Sequence, residues 1–264
     1  MLQVDNVHHT FNPGDFNEVH ALRGVTLTLA TRQFVTLIGS NGAGKSSLFN
    51  AVAGVFIPGR GQILIDGVDV TNWPEHRRAV WIGRVFQDPR LGTAASMTIA
   101  ENLVLALLRG QKLGLRLGIN RERRKIFAGV LAPLGLGLEN RLNSPVSTLS
   151  GGQRQAITLL MACLANPKIL LLDEHTAALD PATARKILDL TGEIIANQHL
   201  TTLMITHNMQ QALDYGDRTL MMDSGQIVLD LPASQKDGLT VQDLVEMFTQ
   251  VKQNRLVDDR MLLS

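Results

Sequence analysis

Gly39-Ser40-Asn41-Gly42-Ala43-Gly44-Lys45-Ser46 has the spacing G-x4-G-K-[ST], which suits a loop that holds phosphate groups. Glycines let backbone N–H groups approach phosphate oxygens with no Cβ in the way. A helix opening at the end of the run adds about half a positive charge at its N-terminus. In such a loop Lys45 reaches the β- and γ-phosphates, the Ser46 hydroxyl ligates Mg²⁺, and Ser47 belongs to the same first turn. A Gly-rich turn is the plain alternative. The run lies between an apolar β-rich stretch, Phe34 to Ile38, and a helical one, Ser46 to Ala53, closed by Gly54, and that context favours phosphate.

A second constellation is acidic. Ile169 to Leu172 is apolar at every position, as in a strand buried on both faces, and it ends in Asp173-Glu174. That places both acids at the carboxyl edge of a sheet, where open α/β sheets bind ligands. Asp173 suits a role with Mg²⁺ and Glu174 suits polarising a water. A third constellation is Leu149-Ser150-Gly151-Gly152-Gln153-Arg154-Gln155. Ser150 is a good N-cap, the glycines expose amides, and Gln153 to Leu164 reads as helix, so the chain carries a second helix N-terminus shaped for phosphate.

With these motifs in this order, the chain resembles the ATP-binding subunit of ABC transporters, from about Leu2 to Asp230. The resemblance makes Gly39 to Ser46 the Walker A loop, Leu149 to Gln153 the signature, Asp173 the end of Walker B and Glu174 the catalytic glutamate. Gln87 in Val85-Phe86-Gln87-Asp88 matches the Q-loop and joins Ser46 and Asp173 around Mg²⁺. Ala178-Leu179-Asp180 matches the D-loop. His207 matches the switch histidine and Phe11 the aromatic that stacks on adenine, with Phe16 as a substitute.

Each smaller site has a plain rival: a core or loop aromatic for Phe11, any polar residue before a turn for Gln87, a satisfied structural histidine for His207. His8 and His9 read as solvated strand or loop residues and Cys163 as a small buried apolar residue. The run Arg121 to Lys125 reads as a solvated helix face, with anionic lipid or partner contact as the alternative. The chain departs from the family pattern at His175, where proline is usual, at Ala177 in the D-loop, and at Arg32-Gln33, where Gly-Glu is common. None of these removes a catalytic group. For His175, packing and an effect on the electrostatics of Glu174 are the two readings.

The resemblance further implies two subunits closed head to tail, so that ATP on one Walker A meets the signature of the other. It implies work passed to transmembrane permease subunits through the region Gln87 to Leu108. The stretch Leu172 to Pro181 resembles an importer branch associated with amino-acid-type solutes, which brings a separate solute-binding protein. The other classes are a soluble ABC ATPase acting on ribosomes or DNA, and a subunit of an exporter or lipoprotein-release system. The first usually carries two ATPase units or a long coiled-coil insertion, and neither is evident here.

The elements that must position these residues follow from pattern. The 264 residues, 45% apolar and 19% charged, suit one α/β domain and exclude disorder over the whole chain. A formal net charge of +1 lacks the basic excess of a generic nucleic-acid binder, so no nucleic-acid partner is expected. A single cysteine and the lack of a Cys/His cluster favour a reducing compartment. No run approaches the roughly 18 to 20 apolar residues of a membrane span, so the chain is not expected to cross a membrane alone, and the resemblance implies a peripheral location on the cytoplasmic face of the membrane.

Strands are predicted at Leu2 to Val7 and Val25 to Leu29 as an antiparallel layer, with a loop between them that turns at Asn12 to Asp15. A further strand is predicted at Thr202 to Ile205, and helices at Ala182 to Ala196 and Met209 to Tyr215. The alternation argues a layered α/β core, and the resemblance makes the expected fold a P-loop ABC-ATPase, with a mixed-sheet α/β core over about 1–87 and 166–230. A mostly helical subdomain is inserted over about 88–165, with clear helices at Glu101 to Leu108 and Arg121 to Leu131. An amphipathic tail over about 239–264, with Val241, Leu244, Val245, Phe248 and Val251 on one stripe, is expected to pack on the core.

Overall fold

Ile38 and Leu48 are both buried, and between them the chain runs from a strand through the Gly-rich loop into a helix, the order that the sequence predicts. The computed structural model describes residues 1–111 and 118–262, with side chains up to Val251. Residues 112–117 of the expected helical subdomain and 263–264 of the expected tail lie outside the described residues.

The strands are β1 (Leu2–Phe11), β2 (Val19–Leu29), β3 (Phe34–Gly39), β4 (Arg60–Ile65), β5 (Val68–Asp69), β6 (Ile82–Val85), β7 (Ile169–Asp173), β8 (Thr201–Ile205), β9 (Arg218–Asp223) and β10 (Gln226–Pro232). The helices are α1 (Lys45–Ala53), α2 (Glu75–Arg78), α3 (Ile99–Leu107), α4 (Arg121–Leu131), α5 (Gly151–Cys163), α6 (Pro181–Gln198), α7 (Met209–Asp214), α8 (Ala233–Lys236) and α9 (Val241–Leu262). Contacts divide the chain into two compact units, Met1–Asn72 with Leu203–Ser264, and Trp73–Thr202.

In the first unit β2-β1-β4-β5 form an antiparallel sheet. Its inward residues alternate: Leu2 lies opposite Leu29 and Ile65, Val4 opposite Leu27 and Ile63, and all are buried. The first two strands are longer than predicted, reaching Phe11 and starting at Val19. Register shifts on either side of Val7, with Asn6 at φ +45°, break the period-two pattern that marks a strand. The loop between them shrinks to the turn region that begins at Asn12.

The unit's other strands run β10-β9-β3-β8. β3 pairs parallel with β9, and β9 antiparallel with β10, so this sheet is mixed. Ile38, Ala212, Met221, Leu231 and Leu244 form a core cluster, with Met247 and Phe248 against it, so the start of the tail helix packs as expected. Val245 of the predicted stripe is 41% exposed.

The second unit pairs β6 parallel with β7, from Ile82 opposite Ile169 to Val85 opposite Leu172. Its helical part has its own core, built from Ile99, Leu103, Phe127, Leu131, Leu138, Val146, Ile157 and Leu160 among others. The expected mostly helical run is interrupted between α4 and α5 by three short 3₁₀ turns, at Ala132–Leu134, Leu138–Asn140 and Val146–Thr148. Pro133 and Pro145, with Gly135 and Gly137 at positive φ, account for the interruption. No helix among the described residues is long and apolar enough to cross a membrane.

Candidate nucleotide-binding and hydrolysis site

In the first unit, the end of β3 shows why the loop needs glycine. A Cβ on Gly39 (φ +152°) would sit 2.2 Å from the Met222 carbonyl oxygen, and one on Gly44 (φ +100°) 2.6 Å from that of Ala21. Gly42 (φ +80°) has nothing within 4 Å, so the loop's outer side is open. Gly44 also caps α1, and no side-chain cap hydrogen bond closes this helix end. Lys45 is 6% exposed and donates through Nζ to the carbonyl oxygens of Gly39 at 2.8 Å and Ser40 at 3.0 Å. The one cation of the motif is thereby laid along the loop that it serves.

Asn41 and Ser46 are exposed, Ser47 is half-buried and Ala43 is buried. The Ser40 hydroxyl donates to Asp223 Oδ1 at 3.4 Å, a partner from the end of β9 that the sequence did not suggest.

His207 follows β8, whose neighbour is β3. Thr206 N–H donates to Leu37 O at 3.2 Å, and the Thr206 hydroxyl accepts from Asn208 N and donates to Gln211 Oε1. The imidazole of His207 is exposed on this anchored turn. Phe11 ends β1 with 37% of its surface exposed, whereas Phe16 is 99% exposed. The Phe11 ring is nearly perpendicular to His9 and Phe56, with centroids 4.5 and 5.4 Å away, and those two rings stack on each other at 3.8 Å. His9 is therefore half-buried in a ring cluster, not a solvated residue, and burial lowers its pKa.

In the second unit, β7 delivers Asp173 and Glu174 to its carboxyl end. Asp173 Oδ2 lies 3.4 Å from Arg84 Nη2 on β6, and that guanidinium sits over the Phe86 ring at 4.6 Å. Glu174 has φ +46°, a left-handed conformation that costs a side-chain-bearing residue roughly 1–2 kcal/mol. His175 is 2% exposed, with Nε2 3.1 Å from the Thr191 hydroxyl, and burial lowers its pKa to about 4. It is packed and neutral.

Gln87 is exposed just beyond β6. Gln155 of α5 donates to the carbonyl of its neighbour Phe86 at 3.5 Å. Fully buried Asn102 stitches the following loop, accepting from Ala94 N and donating to the carbonyls of Ala94, Met97 and Thr98. Neither contact had a sequence signal.

The signature opens α5 with a closed capping box. Ser150 Oγ accepts from Gln153 N at 3.3 Å while Gln153 Oε1 accepts from Ser150 N at 3.2 Å. The spacing S-x-x-Q was a legible signal for it. Gly151 has room, but a Cβ on Gly152 would come 2.4 Å from Thr183 Cγ2 of α6. Asp180 caps α6, accepting from Thr183 N at 3.0 Å, and its hydrogen bonds to Thr183 hold its carboxyl below the usual range. Cys163 is fully buried and its thiol is pushed up to about 12, so it behaves as an apolar filler. On α4, Arg123 donates to Gly118 O and Arg124 to Asn143 Oδ1.

Residues 22–177 match the family model described as ABC transporter. The tyrosine transport ATP-binding protein of Clostridioides difficile is 43% identical over 94% of this chain and 98% of its own. A methionine import ATP-binding protein of Pseudomonas entomophila is 34% identical over 98% and 76%. A xylose/arabinose import ATP-binding protein of Sulfolobus acidocaldarius is 33% identical over 94% of each. Among solved structures, a dimeric post-hydrolysis ATP-binding cassette bound to ADP and Pi superposes with TM-score 0.76 at 28% identity, covering 88% of this chain and 99% of that one.

Proposed function

The chain belongs to the ABC transporter family, and from that premise we propose that it is the ATP-binding and hydrolysing subunit that energises import of a small solute of amino-acid type. The observation that carries the reading is the phosphate loop: an α1 N-terminus with no side-chain cap, open space above Gly42, and Lys45 laid along the loop.

In this reading Gly39 to Ser47 hold the ATP phosphates through backbone amides, hydroxyls and the Lys45 ammonium. Phe11 stacks on the base. Ser46, Gln87 and Asp173 carry hard oxygen donors of the kind Mg²⁺ takes and would be the residues to hold it, and the ion would supply positive charge against the phosphates. Ser150, Gly151, Gly152 and Gln153 meet the γ-phosphate of ATP held by a second copy or a paired ATPase subunit. Asp180 lies at that junction. Glu174 orients or deprotonates the attacking water, and its strained backbone fits a residue held for chemistry. His207 holds the γ-phosphate.

The core over about 1–87 and 166–230 and the helical subdomain over about 88–165 are the parts of this machine. Permease subunits dock on Gln87 to Leu108. A cavity of about 380 Å³, lined by Leu91, Leu105, Arg109 and Met161 among others, supports that surface, and Leu91 and Leu105 are 70% and 54% exposed. Docking there makes the subunit peripheral on the cytoplasmic face, with a separate solute-binding protein completing the importer. The tyrosine and methionine relatives support an amino-acid-type solute.

Two experiments test the reading. Glu174→Gln should keep ATP binding while turnover falls by about 100-fold or more; undiminished turnover removes Glu174 from this role. Purification from membranes should recover an apolar permease subunit; nucleic-acid-stimulated ATPase with no membrane partner would replace transport.

A further inference from the structure

His175 adjoins the proposed water-orienting residue, and the hydrogen bonds around it fix more than its position. The Thr191 hydroxyl has one proton and donates it to Ile187 O at 2.6 Å. At the 3.1 Å contact with His175 Nε2 that hydroxyl can therefore only accept. The imidazole must carry its proton on Nε2, so tautomer and ring orientation are both set by α6. Both side chains are closed off from water, His175 at 2% and Thr191 at 1% exposure, so no solvent molecule replaces the bond if it breaks.

The turn that this bond holds is a strained one. Glu174 sits at φ +46°, and its carbonyl accepts from Ala177 N at 2.9 Å, closing a tight turn directly after β7. A left-handed residue without glycine persists only where its surroundings over-determine it. Of the residues in this turn, His175 has a buried side-chain tie to a helix 16 positions away. That helix is anchored at its start by the Asp180 cap and by Thr183 against Gly152.

We propose that His175, through the Thr191 hydroxyl, is a positioning residue that holds Glu174 in its hydrolytic orientation. The proposal rests on the reading of Glu174 given above. It assigns His175 to the hydrolytic step and not to nucleotide binding.

The test measures three quantities on the purified chain in its active, paired form: kcat for ATP, affinity for ADP and the unfolding midpoint. His175→Leu should lower kcat about 10-fold while ADP affinity stays within twofold. His175→Gln, whose amide can place an N–H near the position of Nε2, should recover most of kcat. Thr191→Val should lower kcat similarly, Thr191→Ser should not, and the double variant His175→Leu/Thr191→Val should be no slower than the worse single one. A His175→Leu protein that folds with kcat within twofold of the parent overturns the proposal, as does strictly additive loss in the double variant. A parallel fall of ADP affinity and kcat overturns it too, because that is general disruption. If His175→Leu does not fold, the Thr191 pair decides alone. Glu174→Gln run alongside separates the two levels: full turnover in that variant sinks the role of Glu174 itself, whereas its loss of turnover beside an unaffected Thr191→Val sinks only the positioning claim.

Discussion

Two helix N-termini in this molecule carry glycines and are proposed to meet phosphate, yet they are finished in opposite ways. At α1 the cap is Gly44, left-handed and without a side chain, so no cap side chain closes the helix end, and Lys45 supplies charge. At α5 the Ser150 and Gln153 box takes up the Ser150 and Gln153 amides and leaves out those of Gly151 and Gly152, a partly closed end, and no acid or base stands in its first turn apart from Arg154, which turns to the carbonyls of Val146 and Ser147. An open end with a lysine can hold a polyphosphate by itself. A partly closed end whose one cation is turned away can add its Gly151 and Gly152 amides to a phosphate presented to it, which fits a site completed by a second ATPase subunit.

The comparison can be broken most severely at the first end. Lys45→Ala should weaken ATP binding by on the order of 100-fold, the size expected for losing charge-assisted hydrogen bonds, while Gln153→Ala should leave the isolated chain's ATP affinity within twofold. Titration with a fluorescent ATP analogue checks both. Next in size, Gly152→Ala should destabilise by about 2 kcal/mol, because Thr183 is β-branched and cannot swing away from the new methyl. Gly151→Ala, whose Cβ meets Leu179 at an ordinary 3.5 Å, should leave the thermal midpoint almost unchanged.

Ser150→Ala should cost about 1 kcal/mol through the lost cap and reduce turnover, with ATP affinity of the single chain intact. The smallest effect concerns the turn that α6 ties down. The folded-state pKa of His175 lies at about 4, below its unfolded value, so this contribution to stability is complete above about pH 6.5 and is lost on acidification toward pH 4. Between pH 7 and 5.5 the loss should be about 1 kcal/mol, read by denaturant unfolding, and His175→Gln should lack that slope.

The difference between the two ends was only half legible in the sequence. The motif spacing located both, and the apolar run Ile169 to Leu172 placed Asp173 and Glu174 at a strand end. Local spacing also carries which amides the helix caps take up, but not the contacts made between distant strands. The box at Ser150 follows from S-x-x-Q, and the same kind of box at Thr98 and Glu101 follows from T-x-x-E. The pairing of Arg84 with Asp173 depends on β6 lying beside β7, a long-range fact that no local pattern carries.

β9 and β10 went unpredicted because their apolar residues are broken by the Ser224-Gly225 turn and spread over two short runs. Arg32 shows the reverse case. It stands where the resemblance leads one to expect glycine, and its φ of +66° is a left-handed conformation that strains a residue with a side chain.

The claim beneath all of this is that ATP joins two ATPase subunits, one offering its open α1 end and the other its partly closed α5 end. Sedimentation of the Glu174→Gln protein with Mg²⁺ and ATP, and again with ADP, tests it most directly. The account predicts twice the chain's mass with ATP, a single chain with ADP, and loss of the larger species when Ser150→Ala and Gly152→Ala are added. A single chain of 28.8 kDa at saturating bound ATP, in the presence of its membrane partners as well as alone, would contradict it.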